Sequence, residues 1–149
     1  MTGDPRWHAA AGGGETPVPA LAELAGEWVM VSAVRDGQPL GAEFVATGRR
    51  VLHGDVTTEM FRGQIFMRGT TTVDATPSPR TFDIVLTHAP GRGKRQLGIY
   101  ERDGDTLRIC VGLPGRPRPL DFETRQGDDR TLMVWRPGSV AAVLDDSAT

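Results

Sequence analysis

Apolar and polar residues alternate with the period of a β-strand along most of this chain. Phe82, Ile84 and Leu86 alternate with Asp83 and Thr87, and Leu97 and Ile99 answer Leu107, Ile109 and Val111 across an Asp103-Gly104 turn. The same reading gives strands at Gly26–Arg35, Arg49–His53, Val56–Phe61, Gln64–Val73, Thr81–Thr87, Arg95–Arg102, Asp105–Val111, Leu120–Thr124 and Thr131–Arg136. Turn residues separate them at Asp36-Gly37, Gly54-Asp55, Arg62-Gly63, Pro77-Ser78-Pro79, Pro90-Gly91 and Gln126-Gly127-Asp128. In Gly26–Arg35 strict alternation puts Trp28, Met30, Ser32 and Val34 on one face and Val29, Val31 and Ala33 on the other. Leu21–Ala25 reads as a short helical turn, and Leu40–Thr47 has weak helical character suited to capping a barrel end.

Links of hairpin length require antiparallel neighbours, and a meander of eight or nine strands hides its edges best by closing on itself. The expected fold is therefore all-β: an antiparallel up-and-down barrel with a short N-terminal helix. Three segments follow: a Gly- and Pro-rich arm over 1–20, the barrel domain over 21–136 and a tail over 137–149. Trp7 and His8 interrupt the arm; an aromatic there could dock on the body or cover a pocket mouth, but the general behaviour of termini favours a tail of no consequence.

Composition narrows the class of function. The 149 residues fit one domain, and 19 Gly with 11 Pro exceed what a helical bundle tolerates. A net charge of −2 provides no field to gather nucleic acid or an anionic membrane. Cys110 is the only cysteine, which excludes an internal disulfide and a cysteine-based zinc cluster. Met1–Ala20 lacks a basic start followed by an apolar run, and no long apolar span follows, so the expectation is a cytoplasmic protein with no membrane partner.

The segment Gln96–Cys110, the proline-rich Pro114–Pro119, and Phe122 resemble the signature of a bacterial lipocalin-like domain family of unknown function that is expanded in planctomycetes. Gly26, Glu27 and Trp28, continuing through Val31–Ala33 to Asp36–Pro39, resemble that family's opening strand, so the likeness spans about Leu21 to Arg136. It implies a calycin-type barrel and supplies no catalytic residues. Many relatives look exported, whereas the expectation for this chain is that it carries no signal peptide. In lipocalins proper, a Gly-x-Trp in the first strand closes the barrel floor and an Arg after the last strand stacks on it. The matching positions are Gly26, Trp28 and Arg136, and they imply a cation–π plug at one end.

Candidate chemistry is sparse. Cys110 is a small hydrophobe unless a cation such as Arg108 stabilises its thiolate. His53 and Asp55, with Glu59, offer metal-ligand spacing only if one strand runs through both, and Gly54 between them argues for a turn; no metal and no cofactor is called for. His88 continues the inward face of Phe82, Ile84 and Leu86 toward a barrel end. Two basic loops, Arg92–Arg95 and Arg116 with Arg118, suit a carboxylate or phosphate if they line one rim. No phosphate cradle, nucleophile elbow or zinc-protease motif is present.

The leading expectation is a barrel that binds a small apolar or amphipathic molecule, anionic ones included, at the end opposite Trp28. Phe82, Ile84, Leu86 and His88 form its wall and Arg116 and Arg118 its rim. Two alternatives stand beside it. One is a cofactor-independent cyclase or isomerase of specialised metabolism; the other is a protein-interaction module with a filled core.

Overall fold

A computed structural model describes residues 18–88 and 90–140 of this chain. After a short helix α1 (Val18–Ala22), the elements are β1 (Gly26–Arg35), β2 (Gln38–Pro39), α2 (Ala42–Thr47), β3 (Arg49–His53) and β4 (Val56–Phe61). They continue as β5 (Gln64–Asp74), β6 (Arg80–Leu86), β7 (Arg95–Asp103), β8 (Thr106–Val111) and β9 (Thr131–Pro137). Each of β4 to β9 pairs antiparallel with its predecessor, and β3 pairs antiparallel with β1. Pairing of β1 with β9 closes the ring, and β2 adds a short extra strand on β1. The protein is an all-β, lipocalin-like barrel of eight strands with one more at its edge. Among the described residues no helix is long and apolar enough to cross a membrane.

Tight turns follow from residues that accept a left-handed backbone. Asp36 and Gly37 have φ of 53° and 79°, and Arg62 and Gly63 have 55° and 76°. Positive φ at both central positions gives the twist that two-residue hairpins need.

Strict alternation fails in β1. The register with β9 shifts between Met30 and Ser32, so a bulge at Val31 resets the phase. Trp28, Met30, Ala33 and Arg35 face the interior, whereas Ser32 and Val34 face out.

The expected strand Leu120–Thr124 is irregular. Its alternation has no edge to pair with, because β1 and β9 have already closed the barrel. Instead residues 112–130 run across the outer face of β7 and β8. Phe122 packs under Arg108, whose Cζ is 4.3 Å from the ring centroid, and the outward-facing Ile99 and Cys110 are buried beneath this cover.

The domain boundaries also differ in detail. Residues 18–20 belong to α1, and Ala20 is buried in the core. Past β9, Gly138 N donates to Glu27 O at 3.1 Å and Val140 N to Glu27 Oε1 at 2.6 Å, which seats this stretch against the outward side of Val29. Trp7 and His8, with the rest of 1–17, and residues 141–149 lie outside the described residues.

Two interior glycines admit large neighbours. A Cβ on Gly98 would lie 2.3 Å from Phe82 Cζ, and one on Gly69 would lie 2.4 Å from Ile84 Cγ2. Both side chains of β6 therefore lie over bare backbone and fill the barrel centre.

Candidate functional site

One barrel end is plugged. Leu24 is fully buried there, its carbonyl accepts a bond from Trp28 Nε1 at 3.1 Å, and Glu23 gathers three side chains. Tyr100 donates to Glu23 Oε1 at 2.7 Å, Arg102 donates to Glu23 O at 3.0 Å, and Arg80 Nε lies 3.4 Å from Glu23 Oε1. Burial and the bond to Glu23 push the Tyr100 phenol well above its ordinary pKa.

The guanidinium over Trp28 belongs to Arg102, with Cζ 5.1 Å from the ring centroid. Arg136 does not make the expected stack. It pairs with Val29, one position out of phase with Trp28, and is exposed on the outer surface. Because the strand period is two, the partner of an inward ring must share its parity, and Arg102, paired with the inward Leu107, does so.

The opposite end opens into a cavity of about 370 Å³. Its wall includes Phe82, Ile84 and Leu86 from β6, Met67 from β5, Val111 from β8 and Met133 from β9. His88 is half-buried at the mouth, beside Pro90, Leu113 and Pro114. Ile65 and Phe66 form the facing rim, where Phe66 packs edge-on to Phe61 at 5.2 Å and Phe61 edge-on to Phe44 of α2 at 4.9 Å. Gln96 Nε2 donates to Gly112 O at 2.9 Å and fixes the start of the long connection at the mouth.

The expected basic rim is absent from this mouth. Arg116 is exposed and not among the lining residues. Arg118 is pinned to the outside of the barrel: Nη1 donates to Phe82 O and Gly98 O, each at 3.0 Å, and Nη2 to Asp83 Oδ1 at 2.7 Å. Asp83 alternates with the inward Phe82 and Ile84, so whatever it binds lies on the outer face.

Charge sits inside instead. Arg50 and Glu59 are cross-strand partners of β3 and β4, face the interior, are almost fully buried and both line the cavity. Arg50 Nη1 donates to Glu59 Oε2, and its Cζ lies 5.7 Å from the Phe82 ring centroid. Arg50 Nε and Nη2 are shielded from solvent and have no hydrogen-bond partner among the described residues. Burial pushes the Glu59 carboxyl up by more than the neighbouring Arg50 charge pulls it down, and burial likewise lowers Arg50.

The sequence marks this pair only faintly. Arg50 and Glu59 lie in short strands, RRVLH and VTTEMF, with no clean apolar–polar alternation, and opposite charges at positions that prove to be register partners are the one signal. Glu59 does not join His53 and Asp55, which are exposed at the β3–β4 turn. Among the described residues no three His, Cys, Asp or Glu side chains converge as a metal site. Burial raises the Cys110 thiol to about 11, which leaves it protonated at neutral pH, with Glu123 O 4.0 Å from Sγ.

The class these features define is a closed lipocalin-like barrel with one plugged end and one apolar cavity. No known family model, curated protein or solved structure matches the chain.

Proposed function

We propose that this barrel binds a small apolar or amphipathic molecule in the cavity opposite Trp28, and that the resemblance carried by Gln96–Cys110 and Gly26–Trp28 reflects membership of the lipocalin-like family of unknown function. The observation that carries the binding reading is the cavity of about 370 Å³, walled by Phe82, Ile84, Leu86, Met67 and Met133 and open at one end only. Its size falls in the range of compact ligand sites, and an apolar wall with few polar groups is what such sites use. A filled interaction module is a poorer fit, since its core would be packed through.

The test is a titration of the full chain with medium-length fatty acids, alcohols and aromatic acids, followed by the fluorescence of the buried Trp28 and Trp135. The expected result is saturable binding tighter than millimolar, worth more than about 4 kcal/mol, that is lost in a folded Leu86→Arg variant. Absence of binding by every compound, or equal binding by the blocked variant, would contradict the reading.

A further inference from the structure

We propose that the cavity floor is a carboxylate subsite, in which the Nε–Nη2 edge of Arg50 takes both oxygens of a ligand's single carboxylate while the apolar chain runs toward the mouth. This rests on the binding reading above and adds the chemical class of the ligand.

The argument begins with the geometry of the guanidinium. Nη1 is engaged by Glu59, and the nitrogens left without partners, Nε and Nη2, share one edge of the planar group. Their N–H bonds run parallel and are spaced for the two oxygens of a carboxylate. An alcohol or an ester carbonyl brings one oxygen to two donors, and a cationic head would face the Arg50 charge.

Charge balance selects a monoanion. Among the described residues the charged or titratable side chains lining the cavity are Arg35, Arg50, Glu59 and His88. Arg35 is exposed and His88 half-buried, both at the mouth, so the deep pair Arg50–Glu59 is the only buried charge, and it is neutral as a unit. A carboxylate arriving at Arg50 adds one negative charge to a site with apolar walls. Protonation of Glu59 from solvent restores neutrality: the O–H bond forms on Glu59, its ion pair is replaced by the ligand's, and the floor again carries one cation and one anion. Burial already favours the neutral form of this carboxyl. A phosphate monoester, with up to two charges, would leave an uncompensated charge after the same single protonation.

Decanoic acid, methyl decanoate and decanol are the probes, titrated into the full chain. The acid should bind at least about tenfold tighter than the alcohol and the ester. The preference should vanish in the double variant Arg50→Met with Glu59→Leu. That variant removes both charges together and leaves no lone buried ion, so its fold is preserved where Arg50→Met alone is at risk. Arg35→Gln should keep the preference. Above the titration of the free acid, Kd should rise about tenfold per pH unit while Glu59 exchanges its proton, and Glu59→Gln should remove that dependence without removing binding.

Equal binding of acid, ester and alcohol would overturn the subsite while leaving the binding barrel intact. So would an acid preference that survives in the double variant or disappears in Arg35→Gln. A pH-independent Kd would overturn the part assigned to Glu59. Failure of all three probes to bind would overturn the subsite, and failure of the aromatic acids as well would remove the binding reading itself.

Discussion

Trp28 is held by its indole bond to Leu24 O and by the Arg102 guanidinium over its ring, and it is only 2% exposed. Trp28→Ala should lower stability by about 3–5 kcal/mol in urea denaturation, as the loss of a large core aromatic does. Arg102→Ala should also destabilise, by about 0.5–2 kcal/mol for the cation–π contact alone, whereas Arg136→Ala should leave the midpoint unchanged. A larger effect at Arg136 than at Arg102 would contradict the assignment of the plug. Glu59 gives a pH signature at the same scale. Burial raises its pKa, so the folded chain holds the proton to higher pH than the unfolded one. Stability should therefore be greatest below the unfolded carboxyl's pKa of about 4.3 and decline as pH rises through the folded value. Midpoints measured across that window should slope less in Glu59→Gln than in the wild type; identical slopes would show that Glu59 keeps an ordinary pKa.

Among the elements, β6 is the most legible in the sequence, because Phe82, Ile84 and Leu86 alternate without interruption and all three face the interior. The expected match of Leu97 and Ile99 with Leu107, Ile109 and Val111 is off by one position. Ile99 pairs with Cys110 on the outer face, while Gly98 and Tyr100 lie opposite Val111 and Ile109 on the inner one, because the bare Gly98 that admits Phe82 reads as a break in the apolar pattern. The face of β1 past Met30 was not legible, since a bulge at Val31 leaves no mark in an apolar run where either phase buries something. The covering segment 112–130 was misread at Leu120–Thr124 for a different reason. Alternation reports a side chain's two-sided environment, and whether an edge remains to receive a strand is decided by the β1–β9 closure. The Arg50–Glu59 pair was legible only once β3 and β4 were in register, because inward polar residues contradict the pattern that identifies an inward face. Gly98 tests the packing of β6 on β7 directly. With Phe82 Cζ 2.3 Å from the position of its added Cβ, Gly98→Ala should displace the ring toward the cavity and destabilise by about 1–3 kcal/mol. A neutral substitution would mean that the ring moves aside freely.

At the scale of the molecule, one end of the barrel is sealed by Leu24, Glu23 and Trp28, and the other leads through an apolar rim to a floor bearing one buried ion pair. The β1–β9 pairing leaves no gap in the wall, so the ligand proposed above would enter by the mouth between Phe66 and Leu113 and stop at Arg50. Methyl spectra of the labelled chain during titration with decanoic acid test this most directly. The methyls of Met67, Ile84, Leu86 and Met133 should shift together and saturate, while those of Leu24 and Leu107 at the sealed end stay in place. Shifts confined to the sealed end or scattered over the outer surface would contradict the account.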